Sequence, residues 1–229
     1  MYKVDTYVAC VVFSTKRLIV HNEDGIHDRN IILTRRPFDI AVLGNDKISL
    51  SFPWSDRKRI EIINTTNYRS EHKIFFINEC YGMSYNKGRL FVIVKNEGNL
   101  IMDLGGQLFS SLPIKGEGLF YIHVKTERLY CLDKCNDTIQ CYDLKGCAVW
   151  THKHSNLRSP RSISSNEKRI FIAGCKSNYI VTTNLNGDIA KVICNSHHGI
   201  KDPTSVFVDT HHLLICNGKN SKAFVYKKN

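Results

Sequence analysis

The chain has 229 residues, 42% of them hydrophobic, which suffices for a large core, excludes a long disordered region and leaves no apolar run near the roughly 18 residues a membrane span needs. Lysine and arginine number 32 against 21 aspartate and glutamate, a net charge of +11 that attracts a polyanion such as RNA or an acidic protein surface without choosing between them. The opening residues Met1–Tyr7 have no signal-peptide layout, so the expected compartment is the cytoplasm, and the sequons at Asn64 and Asn136 are expected to stay unmodified.

In chain order, a first strand is expected near Tyr2–Thr6 and a second around Leu18. From there a short apolar strand following a turn returns at Lys47–Ser51, Arg89–Ile93, Arg128–Leu132, Arg169–Ala173 and His212–Cys216. Its second residues, Ile48, Leu90, Leu129, Ile170 and Leu213, are spaced 42, 39, 41 and 43. A period of that size with several strands per period predicts a β-propeller. Unit openings recur at Pro37, Cys80, Leu119, Pro160 and Pro203, and a turn of one kind recurs at Asp103–Gly106, Asp143–Gly146 and Asn184–Gly187. The unit from Pro160 divides into four strands at Arg161–Ser164, Arg169–Gly174, Tyr179–Thr183 and Ile189–Cys194, with Asn186-Gly187 as hairpin signal.

These marks predict an all-β, six-bladed propeller of mostly four-stranded blades in one domain. The blades fall at 7–36, 37–79, 80–118, 119–159, 160–202, and 203–229 joined by 1–6. Leu18 to Ile48 spans only 30 residues, so the first blade is expected to be abbreviated. The last has room for three strands, and the N-terminal strand is expected to supply its fourth and close the ring.

Nine cysteines, mostly inside apolar strands, read as buried, reduced thiols. Cys131, Cys135, Cys141 and Cys147 lack the tight pairs of a zinc module, and neither a metal nor a cofactor is expected. His152 and His154 share a strand face; His197, His198, His211 and His212 read as turn residues. The inner-strand openings offer only Asp39, Asn86 and Asp209 as acceptors for a calcium-dependent propeller hydrolase, and no nucleophile elbow, P-loop or HExxH stretch is present. No enzymatic activity and no small-molecule substrate are expected.

Leu129–Gly146, in which a strand ends at Asp133 and an apolar strand runs to a glycine turn, resembles the NHL repeat. Ile170–Val181 with Asn184–Gly187 looks like a second copy, and Gly199–Val206 with Leu213–Gly218 like a closing one. The chain is similar throughout to the C-terminal NHL-like propeller of tripartite-motif (TRIM-type) proteins, of the invertebrate, molluscan kind. Only Asp133 keeps that family's strand-end acid; Lys95, Gly174 and Asn217 stand at the matching places. The resemblance implies a non-catalytic scaffold that recruits protein substrates in the ubiquitin pathway. Ligase activity would need a RING module that these residues do not contain.

In a four-stranded blade, the loop between strands two and three shares an end with the loop entering strand one. Those loops carry Arg35, Arg36, Arg57, Lys58, Arg59, Lys95, Lys134, Arg158, Arg161, Lys176, Lys201 and Lys219, with Trp54, Tyr81 and Phe120 nearby. Such a basic end suits a protein partner or, alternatively, the phosphates and bases of RNA. Lys16, Arg17, Lys47, Lys87, Arg89, Arg128, Lys168 and Arg169 are expected at the opposite end.

Overall fold

The computed structural model describes residues 2–4, 7–12, 14–22, 26–44, 46–188, 190–218 and 223–227. They form two compact units, within residues 2–115 and 116–229. Both are built from antiparallel sheets whose strands pair in chain order.

The first unit holds three sheets. One contains β1 (Tyr2–Val4), β2 (Tyr7–Val12), β3 (Arg17–Asn22) and β4 (His27–Ile32). The next contains β5 (Ile40–Gly44), β6 (Lys47–Phe52), β7 (Arg59–Asn64) and β8 (Ser70–Phe75). The third contains β9 (Cys80–Asn86), β10 (Arg89–Val94), β11 (Gly98–Met102) and β12 (Leu108–Leu112).

The second unit repeats the scheme with β13 (Leu119–Lys125), β14 (Arg128–Asp133), β15 (Thr138–Asp143) and β16 (Ala148–Lys153), then β17 (Pro160–Ser165), β18 (Arg169–Gly174), β19 (Tyr179–Asn184) and β20 (Ala190–Cys194). A three-stranded sheet of β21 (Pro203–Val208), β22 (His212–Asn217) and β23 (Ala223–Lys227) follows. A single 3-10 turn, Ser196–His198, lies between β20 and β21. Among the described residues, no helix is long and apolar enough to cross a membrane.

The recurring apolar strand reads as continuous rather than alternating because both its faces are buried. In β18, Ile170 and Ile172 pack with Tyr130, Leu132 and Ile139 of the preceding sheet. Phe171 and Ala173 pack with Val206, Val208 and Ile215 of the following one. In the first unit Ile48, Leu50 and Phe52 meet Leu18 and Val20, while Ile60 and Ile62 meet Met83 and Leu90. Each such side chain contributes about 1.5–3 kcal/mol by leaving water. The fourth strands β4, β8 and β16 are mostly exposed and supply the polar outer surface.

The recurring turns form for a local reason. The Oδ1 atoms of Asp103, Asp143 and Asn184 each accept two amide hydrogens: from Gly105 and Gln107, from Lys145 and Cys147, and from Asn186 and Asp188. Gly187 closes the third of these turns at φ +82°, a left-handed conformation that a β-carbon would strain.

The N-terminal strand departs from expectation. It does not complete the last sheet: β1 pairs with β2, Lys3 opposite Val8. A short hairpin costs far less chain entropy than joining segments more than 200 residues apart. Residues 5 and 6 of the expected strand lie outside the described residues. The first blade is short at this strand, which has three residues.

The repeat phase also shifts there. Ile48 lies on the second strand of its sheet, whereas Leu18 lies on the third. The interval between them is therefore missing one strand and one turn, which accounts for its 30 residues.

Candidate functional site

In four of the sheets the two loop sets named above share an end, tied by backbone hydrogen bonds. The Lys95 amide donates to Glu79 O at 2.9 Å, Lys134 to Gly118 at 2.9 Å, Lys176 to Arg158 at 3.1 Å and Gly218 to Asp202 at 2.9 Å. Side chains brace these loops in the second unit. Asp137 Oδ1 accepts from the Ser159 amide at 2.6 Å, and Asn178 Oδ1 from the Asp202 amide at 2.7 Å.

In the first unit this end forms a cleft of about 500 Å³ lined by Lys16, Arg35, Arg36 and Trp54. Lys16 was expected at the opposite end. It comes here because the turn before Leu18 lies between second and third strands, and the Leu33 amide binds Lys16 O at 2.8 Å. Counting one period back from Ile48 lands on Val8 within the apolar run of β2, a signal that would have placed Lys16 correctly.

The floor is built by β5 and β6. The Phe38 amide donates to Ser51 O at 2.8 Å, extending their pairing into the link that carries Arg35 and Arg36. The Ser55 hydroxyl donates to Phe52 O at 3.1 Å and also contacts Arg57 O, which holds the turn that lifts Trp54 outward. Trp54 is 53% exposed. Its ring meets Phe38 edge-on at 5.4 Å between centroids and Tyr81 at 6.1 Å, while Phe38 and Tyr81 stand 5.5 Å apart. An indole fixed by two neighbouring rings is a pre-oriented stacking surface. Arg35 reaches Asp56 at 3.2 Å, a pair exposed enough to yield readily to a competing anion.

Other predicted residues do different work. Arg59 is turned inward: its Nε meets Glu61 at 2.6 Å, its Nη1 donates to Arg57 O, and its guanidinium lies over Phe52. Lys95 pairs with Glu79 at 3.5 Å, and the Arg57 guanidinium sits 5.9 Å from the Phe75 ring centre. Lys58 is near enough to lower the Glu79 carboxyl, though less than the Glu79 amide and Lys95 do. In the second unit Lys134, Arg158, Arg161, Lys176 and Lys201 lie in or beside the matching loops. Lys219 falls outside the described residues.

The inner strands carry polar side chains that stitch neighbouring sheets together. Asp39 Oδ2 accepts from the Met83 amide at 2.8 Å. The Ser162 and Ser164 hydroxyl oxygens accept from the Val206 and Val208 amides. His123 Nε2 lies 2.8 Å from Ser165 Oγ. Burial pushes the Asp39 carboxyl up to about 6, against its hydrogen bonds from the Met83 and Ile40 amides. Burial, helped by Lys125, pushes the His123 imidazole down to about 4. So weak a base is poorly suited to activating Ser165 as a nucleophile.

The two groups oppose each other in acid. Between pH 6.5 and 4 the unfolded chain protonates His123 and the folded chain does not, so this residue's contribution to stability falls on acidification. Between pH 6 and 3.8 the folded chain holds the Asp39 proton more tightly, so acidification relieves a cost present at neutral pH. Asp39→Asn, which keeps an acceptor for Met83, is expected to stabilise the protein at pH 7 by about 1–2 kcal/mol, discounted for its partial exposure. His123→Gln should flatten the acid decline. Urea unfolding at pH 7 and pH 5 measures both; unchanged stability of Asp39→Asn at pH 7 would contradict the desolvation argument.

No disulfide joins the nine cysteines; seven are buried, and Cys135 and Cys147 are exposed in turns. The His152 and His154 rings are 6.1 Å apart, His152 on β16 and His154 just beyond its end. Among the described residues, no group of three or more His, Cys, Asp or Glu side chains is placed to hold a metal.

No protein-family model matches the chain, and no curated protein matches it in sequence. The NHL and TRIM resemblance thus has no family match behind it. Solved structures do match. A protein of unknown function from Bacteroides caccae superposes with a TM-score of 0.72 at 15% identity, over 92% of this chain and 82% of its own. A streptogramin B lyase gives 0.68 at 11% identity, over 99% and 81%. The computationally designed Ika8 protein gives 0.61 at 9%, over 99% and 69%. At these identities what is shared is the fold, and that fold is the six-bladed β-propeller.

Proposed function

We propose that this chain is a non-catalytic recognition module of the NHL-like propeller kind, and that it binds single-stranded RNA in the Lys16–Arg35–Arg36–Trp54 cleft. The observation that carries the reading is an exposed, edge-braced indole among three cations in one concavity. Cations take phosphates, and a flat ring takes a base of any identity. The perturbed carboxyl of Asp39 and imidazole of His123 are engaged in holding sheets together, which supports a binding role over a catalytic one. The lyase among the structural neighbours is an enzyme on the same fold, and its chemistry is not carried over.

Fluorescence anisotropy of a labelled oligoribonucleotide across a salt series tests this reading. Three phosphate contacts predict a log–log slope of about −2, from roughly −0.7 per contact. A flat salt response, or no binding near physiological salt, would remove it.

A second reading, a platform for a protein partner, is favoured by the exposed apolar side chains Phe75 and Ile77, 54% and 90% accessible. Ile77→Asp would weaken such a partner and leave RNA binding unchanged.

A further inference from the structure

Most arginines whose contacts are resolved in this molecule have something to hold: Arg29 has Asp28, Arg35 has Asp56, Arg59 has Glu61, and Arg89 lies over Phe109. Arg161 differs. Its Nε is buried and has no hydrogen-bond partner among the described residues. The residue occupies the bulge of β17, between Pro160 opposite Gly174 and Ser162 opposite Ala173. That bulge places it beside the loop leaving β18, where the Cys175 and Lys176 amides bind Ser159 and Arg158 carbonyls at 3.2 and 3.1 Å.

The surroundings are cationic. Hydrogen bonds gather the charged loops here: the Lys176 amide donates to Arg158 O at 3.1 Å, Asp137 Oδ1, in the turn that begins at Lys134, accepts from the Ser159 amide at 2.6 Å, and Asn178 Oδ1, in the turn that carries Lys176, accepts from the Asp202 amide at 2.7 Å. Lys134 is held there with its Nζ 5.9 Å from the centre of the Phe120 ring. Arg158, Arg161, Lys134 and Lys176 against Asp137 and Asp202 leave a local charge of about +2 around a donor with no acceptor among the described residues. A buried guanidinium N–H left unmatched is costly, and its Nε–Nη edge is shaped for two oxygens of one anion.

We propose that Arg161, with Lys134 and Lys176, forms an anion-binding site for a phosphomonoester dianion. The local charge matches a doubly charged phosphate better than a singly charged carboxylate, and the fork of Arg161 donates to two of its oxygens. Free phosphate and the terminal phosphate of a mononucleotide share this chemistry. The site is independent of the RNA cleft, since it draws on none of its residues.

The test uses the whole chain. Thermal unfolding and isothermal titration are run in chloride buffer with inorganic phosphate or a nucleoside 5′-monophosphate, for the native protein and for Arg161→Met and Arg161→Gln. Phosphate is expected to bind and to raise the Tm of the native protein alone, and the variants are expected to bind about tenfold more weakly or worse. Tighter binding of the nucleotide than of phosphate identifies an organic phosphate as ligand; equal binding identifies the free ion. Without any anion, Arg161→Met should melt higher than the native protein, because it removes an uncompensated charge. A lower melting point for Arg161→Met would mean that Arg161 already has a structural partner, and would overturn the proposal. So would failure of both ligands to bind at concentrations on the order of 10 mM, beyond the weakest useful affinity.

Discussion

Replacing Trp54 by alanine is expected to lower affinity for single-stranded RNA by about 5- to 150-fold, the range that one stacked base contributes. The ring is more than half exposed and braced by Phe38 and Tyr81, so its removal takes away a platform without opening the core. Trp54→Phe should retain most of the affinity, because a flat face remains. Arg35→Glu combined with Arg36→Glu acts on the other half of the site. Losing two phosphate contacts should flatten the log–log salt slope by about 1.4, in addition to the new repulsion. Lys87→Glu supplies the control. It sits in the β9–β10 turn at the other end of the first unit and changes net charge as much as Arg36→Glu does. Equal losses from Arg36→Glu and Lys87→Glu would mean that attraction follows net charge alone, and the cleft would lose its role.

A second large effect is expected at the base of β14. Asp133 is buried, and its Oδ1 accepts from the Cys135 and Asn136 amides at 2.9 Å each, while Oδ2 accepts from Asn136 Nδ2 at 2.8 Å. This carboxylate shapes the loop between β14 and β15. It leaves no room beside Gly118: a β-carbon there would stand 2.0 Å from Asp133 Oδ1 and 2.9 Å from the Cys135 nitrogen. Gly118 also accepts the Lys134 amide, so it cannot move without loosening the loop. Gly118→Ala is therefore expected to cost about 3 kcal/mol by overpacking. Asp133→Ala is expected to cost about 2 kcal/mol, since two amides lose a charged acceptor but lie near solvent. The cost of Gly118→Ala should shrink by about 1 kcal/mol or more in the Asp133→Ala background, where the nearest obstacle is gone. A double-mutant cycle by urea unfolding measures this coupling. Strict additivity would show that the carboxylate is not what excludes a side chain at Gly118.

Much of the architecture was written in local chemistry. The apolar strands at Ile48, Leu90, Leu129, Ile170 and Leu213 reappear as the second strand of their sheets, since only a strand buried on both faces needs such a run. The turns at Asp103, Asp143 and Asn184 form through side chains binding amides two and four residues on, an interaction complete within five residues. The N-terminal blade was misread for a related reason. Leu18 has the same apolar pattern as a second strand, and pattern alone does not distinguish a second strand from a third. Its partners do, and they belong to other parts of the chain.

The cleft was only partly legible. Arg35, Arg36 and Trp54 were placed at the right end by the alternation of loops, but Lys16 was not, because its position depends on the strand phase of the first blade. Arg59 looked equivalent to Arg57 and Lys58 in sequence. Its contact with Glu61 two residues on, over Phe52 from the paired strand, withdraws it from the surface. The sequence by itself thus determined the all-β class, the period and the turn chemistry, because these arise from neighbours a few residues apart. Only the tertiary structure decided which strand β1 joins, which cations share a concavity and that Arg161 Nε has no hydrogen-bond partner among the described residues. Those outcomes depend on contacts between segments distant in the chain, whose closure no local pattern records.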